Sequence, residues 1–367
     1  MAPLDPMQQA LALAERAIGL SEPNPRVGCV LVAPDGAVIG QGHTQQAGGP
    51  HAEISALRDA QAAGRDVRGA TAFVTLEPCC HHGRTGPCCE ALVEAGIARV
   101  VASCEDPNPR VAGQGIARLR AAGVEVQVGP GAAQSRELNL GFFSRMLRGT
   151  PWVRLKVAAS LDGRTALENG TSQWITAEGA RADGHAWRAR AGALLTGIGT
   201  VLEDDPRLDV RLAPTLRQPP LVLVDSRLEV PPSARLFVPG RPHWIYTAHP
   251  RSPKWQELED RGAEVVALPG PGGKVDLAAL LRDLAAREVN ELHVEAGHKL
   301  NGSLVREGLV DELLVYLAPK LIGLGQPMAS FGPLTALDQA LPLRFVSSVT
   351  VGPDLRLVAR VDGRDTF

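Results

Sequence analysis

The chain has no lysine before Lys156, no apolar run that approaches a membrane span, no internal repeat and no low-complexity tail. Residues 1–149 carry 13 arginines against 14 acidic residues, and the whole chain has a formal charge of −2. Proteins that grip nucleic acid by its phosphates show a basic surplus, so nucleic acid is not an expected partner. A bilayer-spanning helix needs about 20 apolar residues, so no membrane segment is expected. No basic stretch followed by an apolar core opens the sequence, and the expected location is the cytoplasm. The chain also lacks dispersed cysteine pairs. Its six cysteines stand at 29, 79, 80, 88, 89 and 104, with four of them inside eleven residues. In a long cytosolic chain such clustering points to a metal rather than to disulfides.

What is present reads as two globular domains: 367 residues, 44% apolar and 21% charged. Helices are expected at 7–19, 52–63, 88–95, 113–122 and 132–147. Strands are expected at 27–32, 37–42, 70–76, 98–103 and 124–128, the first two joined across Pro34-Asp35-Gly36 as a hairpin. Strands alternating with helices imply a layered α/β domain. Gly149-Thr150-Pro151 reads as a linker, which gives expected domains 1–147 and 148–367. Beyond it a second alternation predicts strands at 152–159, 193–197, 221–225, 243–247, 264–267, 291–295 and 312–318, and the last 25 residues read as strands, for example 354–361. Helices are expected there near 177–191 and 276–288.

The densest chemistry lies in Thr75-Leu-Glu-Pro-Cys-Cys-His-His-Gly-Arg-Thr-Gly-Pro-Cys-Cys89 and in Pro50-His-Ala-Glu53 upstream. One histidine and two spaced thiolates leave a fourth tetrahedral position on zinc for water. His51 just before a helix and Glu53 in its first turn can reach one point, although the two diverge by about 200° mid-helix. Cys79 follows a strand, and Cys88 begins a helix, whose N-terminus favours the thiolate. Glu53 then serves as proton shuttle, the task of the non-ligand glutamate in zinc deaminases. Competing readings are a closed zinc knuckle using His81 or His82, which leaves His51-Ala-Glu53 without a task, and a metal-free cysteine core. Cys80 and Cys89 read as neighbours of the ligands, and Cys29 and Cys104 as buried structural thiols.

Pro50-His-Ala-Glu53 with Glu77-Pro-Cys79 resembles the cytidine and deoxycytidylate deaminase superfamily, which commonly spaces its thiols as C-x-x-C. Here eight residues separate Cys79 from Cys88. The inserted His-His-Gly-Arg-Thr, Asn24-Pro-Arg-Val-Gly-Cys-Val30 and Asp106-Pro-Asn-Pro109 resemble the deaminase half of the bifunctional riboflavin-biosynthesis deaminase/reductase family. Cys80 departs from a usual serine and Gly86 from a usual proline, and neither removes a ligand. The resemblance implies a cytidine-deaminase-like three-layer domain acting on a diaminopyrimidinone with a ribosylamino 5′-phosphate. It also implies that Asn24, His43, His81 and Arg84 contact that substrate, with Arg84 suited to bidentate phosphate binding.

In the second half, Thr196-Gly-Ile-Gly-Thr200 and His293-Val-Glu-Ala-Gly-His298 each join a strand to a helix through glycine. Such a turn suits an anion, although neither is the GxGxxG fingerprint. Residues 150–367 resemble the reductase half of the same family, through Ser160-Leu-Asp-Gly-Arg-Thr-Ala166, Ser172-Gln-Trp-Ile-Thr176, the Gly197–Pro206 run, Glu295-x-Gly297 and Asp311–Lys320. The resemblance implies a dihydrofolate-reductase-like α/β domain that uses NADPH to reduce the ribosyl group to ribityl. It assigns Ala158, Trp174, Thr200, Asp204, Ser226, Gly297, His298, Lys299, Leu300, Asn301, Gly302 and Ser303 to the cofactor. Lys156, Ser172, Arg188, Leu208, Arg211 and Glu295 go to the phosphorylated substrate. Ala296 stands where the family usually has glycine, and His298-Lys299 where it has a small residue and threonine. A homo-oligomer, dimer or tetramer, is also implied. Two other readings are a tRNA or nucleoside deaminase with an accessory domain, disfavoured by the even charge and the thiol spacing, and a zinc-stabilised flavin-precursor binding protein.

Overall fold

The computed structural model describes residues 5–80 and 86–367 and divides the chain into two compact units, Met1–Gly149 and Thr150–Phe367. The first unit runs α1 (Pro6–Glu15), β1 (Gly28–Val32), β2 (Val38–His43), α2 (Ala52–Ala62), β3 (Thr71–Val74), α3 (Cys88–Glu94), β4 (Arg99–Ala102), α4 (Gln114–Ala121), β5 (Glu125–Val128), α5 (Ala132–Leu138) and α6 (Leu140–Arg148). Its sheet is ordered β2-β1-β3-β4-β5, with the hairpin antiparallel and β3, β4 and β5 parallel. Strand alternation explains the layers. Val30 packs with Met7, Ala10 and Leu11 of α1, whereas the adjacent Cys29 faces the α2 side and feels the charge of Glu53. At Gly28 a Cβ would lie 1.9 Å from the Ala10 carbonyl oxygen, so glycine is what lets α1 seat directly on the strand.

One expected element is broken. The helix expected over 132–147 is two, because Asn139 leaves helical geometry (φ −118°, ψ 19°) between them. Its buried amide accepts from Arg26 N (2.7 Å) and donates to the Arg26 and Ser135 carbonyls (both 3.0 Å). A side chain that pairs with distant backbone on both edges competes with the local helix. Asn139→Ala should therefore lose about 1–3 kcal/mol, since it strands a buried N–H and a buried carbonyl; urea unfolding of the variant measures this. The first helix also stops at Glu15, followed by turns rather than continuing to Gly19.

The second unit runs β6 (Trp152–Ser160), β7 (Arg164–Leu167), α7 (Glu178–Ala189), β8 (Ala193–Gly197), α8 (Ile198–Asp204), β9 (Leu221–Val224), β10 (His243–Thr247), α9 (Pro253–Asp260), β11 (Ala263–Ala267), α10 (Leu277–Ala286), β12 (Glu291–Val294), α11 (His298–Arg306), β13 (Glu312–Ala318), β14 (Gly325–Pro327), β15 (Leu343–Val351) and β16 (Asp354–Val361). Its sheet is ordered β11-β10-β9-β8-β12-β6-β13-β16-β15. The first seven strands in that order are parallel, and β16 and β15 are antiparallel. A separate ribbon pairs β14 with β7, and that ribbon and α9 were not foreseen as elements, whereas β15 and β16 fall in the terminal stretch expected to be strand. Val153, Leu155, Val157, Leu292 and Val294 face Leu277, Leu280, Leu281 and Leu284 of α10 in one core.

The alternate residues of those same strands are charged. Arg154, 3% exposed, donates to Glu291 (2.8 Å) and Glu312 (2.5 Å), and Arg360 also donates to Glu312 (3.0 Å). The Arg154 and Arg190 guanidinium groups stand 4.5 and 4.6 Å from the centre of the Trp187 ring of α7. The α7 face of the sheet thus combines buried ion pairs with a small apolar cluster of Ala180, Leu314, Tyr316 and Val358, whereas the α10 face is apolar.

Candidate active sites

In the first unit, His51 is the N-cap of α2 in extended conformation (φ −72°, ψ 170°), and Glu53 stands in the first turn. Their side chains therefore converge, as the sequence reading required. Cys88 opens α3, and Cys79 follows β3. His51 Nδ1 lies 3.3 Å from Cys88 Sγ and 3.6 Å from Cys79 Sγ, and the three ligand atoms all fall within 4.8 Å of one another. A neutral imidazole with two thiols is the donor set of zinc, with one tetrahedral corner left over. Among the described residues this is the one cluster able to hold a metal ion.

The electrostatics match the geometry. A hydrogen bond from Cys88, together with His51, pulls the Cys79 thiol down to about 4. The Cys88 backbone N–H also points at Cys79 Sγ (3.5 Å). Burial, followed by the Cys79 charge, pushes Glu53 up to about 7, and its side chain is bonded to Cys88. Glu53 is only 4% exposed, so its one task lies inward.

The structure adds two residues that the motif reading passed over. The Glu77 carboxylate accepts from the backbone of Asp106 (3.1 Å), Gly113 (2.9 Å) and Ile116 (3.1 Å), which fixes the loop that delivers Cys79. Asp106 is buried, and its carboxyl is pushed up to about 7, first by burial. The Asp-Pro-Asn-Pro stretch was the available signal, since Asp106 accepts from Asn108 N at 2.8 Å to form the turn.

The remaining cysteines lie off the cluster. Cys80 Sγ faces Gln114 (3.9 Å), and Cys89, Cys29 and Cys104 are buried free thiols. His43 ends β2, half-buried, and its imidazole pKa is lowered by burial and then by Arg16. Asn24 is half-buried in the turn before β1, where its N–H donates to Ser21 (2.8 Å). His81 and Arg84, and with them the knuckle alternative through His81 or His82, lie outside the described residues.

In the second unit the two strand–glycine–helix turns are neighbours, because β8 and β12 pair in parallel. Gly197 caps α8 against Leu300, and a Cβ there would sit 3.0 Å from that side chain. A Cβ on Gly297, which caps α11, would find only Thr200 Oγ1 at 3.9 Å. Clefts at the C-terminal ends of parallel strands are where such sheets bind ligands. Around this one, Asn301 Oδ1 and Thr196 Oγ1 are buried without partners among the described residues, as groups awaiting a polar ligand are.

The expected cofactor residues distribute as follows. His298 Nδ1 pairs with Ser330 Oγ (2.7 Å), Lys299 is exposed, and Ser303 Oγ donates to the Lys299 carbonyl (3.3 Å). Asn301 Nδ2 donates to the Met328 carbonyl (2.9 Å). Gly302 is pressed on backbone, where a Cβ would sit 1.8 Å from the Ser330 carbonyl oxygen, so its smallness serves packing. Ala296 and Leu300 pack against the core. Ser226 Oγ accepts from Val275 N (3.2 Å), and Ala158 is half-buried on β6. Trp174 is 62% exposed under the Arg181 guanidinium (4.6 Å), and the adjacent Gln173 donates to exposed Asp204 (3.4 Å).

Of the expected substrate residues, Lys156 and Arg188 meet on Glu295, and Arg211 joins them through Asp209. Arg188 binds Glu295 through two nitrogens, the second at 2.9 Å, and Lys156 Nζ stands 3.5 Å from Glu295 Oε2. Burial alone would raise the Glu295 carboxyl, but Arg188 and Lys156 hold it well below the usual range. Arg211 Nη1 binds Asp209 (2.7 Å), and Arg188 Nη1 binds the Asp209 carbonyl (3.0 Å). Leu208 has φ +50° and a buried side chain, so only its backbone is available to a ligand. Ser172 is half-buried beside Gln173.

Comparison with known proteins gives the following. Residues 4–104 match the family model for the cytidine and deoxycytidylate deaminase zinc-binding region, and residues 151–357 match the RibD C-terminal domain. The chain is 45% identical over 364 residues to the riboflavin biosynthesis protein RibD of Escherichia coli, covering 96% of this chain and 97% of that one. It is 39% identical over 349 residues to the protein of the same name from Aquifex aeolicus, covering 95% and 96%. Among solved structures it is similar to Acinetobacter baumannii RibD, form 1 (TM-score 0.88, 41% identity, 97% and 98% covered). It is also similar to a diaminohydroxyphosphoribosylaminopyrimidine deaminase/5-amino-6-(5-phosphoribosylamino)uracil reductase from Thermotoga maritima (0.85, 31%, 97% of each).

Proposed function

The chain belongs to the RibD family of bifunctional riboflavin-biosynthesis deaminases/reductases, and from that premise we propose which of its residues carry each step. The protein is an enzyme of riboflavin biosynthesis with two activities and two cofactors, zinc and NADPH. Its first activity deaminates 2,5-diamino-6-(5-phosphoribosylamino)pyrimidin-4(3H)-one. The second reduces the ribosyl side chain to ribityl, giving 5-amino-6-(5-phosphoribitylamino)uracil.

For deamination we assign His51, Cys79 and Cys88 as metal ligands and Glu53 as proton carrier. Zinc, when bound, acidifies water at its open position towards neutrality. The buried Glu53 carboxylate takes a proton from the attacking water and delivers it to the departing amine. The observation that carries this is the convergence of His51 Nδ1 on both sulfurs beside a carboxylate shielded from solvent. Asn24, His43, His81 and Arg84 are the proposed substrate contacts of this half.

For reduction, NADPH supplies the hydride. The cleft between Gly197 and Gly297 is its proposed seat, with Ala158, Trp174, Thr200, Asp204, Ser226 and 297–303 around it. Lys156, Ser172, Arg188, Leu208, Arg211 and Glu295 are the proposed substrate residues. Glu295 accepts from the sugar hydroxyls, and Arg188 and Arg211 offer paired N–H groups to a phosphate. Cytoplasmic location and a homo-oligomer, dimer or tetramer, belong to the same proposal. Among the described residues no helix is long and apolar enough to cross a membrane.

Stripping the metal with a chelator separates the halves. Ammonia release from the diaminopyrimidine phosphate should cease and return with added zinc, while NADPH oxidation with the deaminated substrate persists. Ammonia release unaffected by complete metal removal would sink the ligand assignment.

A further inference from the structure

Asp209 holds two arginines on one carboxylate. Arg211 Nη1 binds Oδ1 at 2.7 Å and Arg207 Nε binds Oδ2 at 3.0 Å; both arginine side chains are 50% exposed, whereas Asp209 is buried. Each guanidinium spends one N–H group on Asp209 and keeps others for a ligand. Behind them stands Arg241, 4% exposed. It donates Nε to the Pro219 carbonyl (2.8 Å) and Nη1 to the Arg207 carbonyl (3.2 Å). Its Nη2 has no partner among the described residues, and it makes no ion pair among them.

The charge balance of this region is lopsided. Lys156, Arg188, Arg207, Arg211 and Arg241 are five cations set against the two carboxylates of Asp209 and Glu295, a surplus of three positive charges. His185, which accepts the Arg211 N–H on Nδ1 (3.2 Å), adds nothing, since burial and the nearby arginines push its pKa down to about 4. A buried guanidinium without a carboxylate is costly unless a counter-ion arrives, and a phosphate dianion is the anion that matches several guanidinium forks.

We propose that Arg207 and Arg241 complete the subsite for the substrate's 5′-phosphate. Arg207 contacts the phosphate beside Arg211. Arg241 is a positioning residue: it pins the backbone of Arg207 and adds positive charge from beneath. This rests on the reading that the second unit reduces the phosphorylated product of the first.

The test uses the full-length zinc-loaded protein and follows NADPH oxidation with two substrates, 5-amino-6-(5-phosphoribosylamino)uracil and its dephosphorylated counterpart. The wild type should favour the phosphorylated substrate. Arg207→Gln should raise its KM by about 10- to 100-fold, the range of a lost hydrogen bond to a charged group, and Arg241→Gln, which acts through Arg207, should raise it by a smaller factor. Their kcat, and both constants for the dephosphorylated substrate, should stay unchanged. Arg241→Lys should recover part of the loss. An equal loss on both substrates makes the roles structural only and overturns the proposal. If Arg241→Gln does not fold, Arg207→Gln still decides, because that side chain is half exposed. A wild type indifferent to the phosphate overturns the underlying reading. A wild type that discriminates, with Arg207→Gln discriminating equally, overturns this inference alone.

Discussion

Glu53→Gln should lower ammonia release by about 10²- to 10⁴-fold, the range of general acid–base catalysis, with bound zinc and NADPH oxidation unchanged. Glutamine keeps the shape and can still accept a hydrogen bond, but it cannot take a proton and give it back. The cluster of His51, Cys79 and Cys88 does not include Glu53, so the metal has no reason to leave. The variant is measured by ammonia release, zinc content and NADPH oxidation with deaminated substrate, side by side. A wild-type rate of ammonia release would remove Glu53 from the proton path. Loss of zinc together with activity would make Glu53 a structural support instead. It would also revive the binding-protein reading if the wild type itself released no ammonia.

Arg154→Met should destabilise the second unit by about 3–5 kcal/mol, the usual cost of removing one partner from a buried ion pair. The change leaves Glu291 with Arg190 at 3.5 Å and Glu312 with Arg360 at 3.0 Å, in place of the two close Arg154 contacts. It also removes the guanidinium stacked 4.5 Å from Trp187. The effect has a definite pH dependence. In the wild type, burial alone would raise the Glu312 carboxyl, but Arg154 and then Arg360 hold it below its ordinary value. That contribution is present above the unfolded glutamate pKa of about 4.3 and fades as pH falls through the lower folded value. In the variant, desolvation is less opposed and the glutamate pKa values rise, so the penalty should be largest near neutrality and shrink towards pH 4. Adding Glu291→Gln and Glu312→Gln to Arg154→Met should restore part of the loss at pH 7. Thermal unfolding across pH 4–8 checks this. A melting temperature within a degree of wild type at pH 7 contradicts the ion-pair account.

The zinc-site reading depended little on distant structure. His51 and Glu53 lie two residues apart, and Cys79 and Cys88 bracket one loop, so strand-end and helix-start signals sufficed to bring them together. The second site was legible only in pieces. Its glycine turns and the Glu295 motif stood in the sequence. Nothing local said that β8 and β12 would be neighbours, because parallel pairing is decided by crossovers of many residues.

Other features were invisible for the same reason. Asn139 carries strong helical surroundings, and its break becomes intelligible only once Arg26, 113 residues away, is seen on its amide. Arg154 sits in Trp152-Val-Arg-Leu-Lys-Val157, where alternation predicts one polar face of the strand. Only the packing of α7 over that face turned exposed-looking charges into a buried network.

The sequence by itself therefore determined the chemistry of the first half, the class of both folds and the family, because each rests on residues close in the chain or on periodicity. The tertiary structure alone decided which charges are buried, how the two glycine turns meet, and that Arg241 lies against the backbone of Arg207. Those outcomes depend on contacts between segments 20 to 200 residues apart, whose pairing free energy comes from packing and desolvation rather than from local propensity.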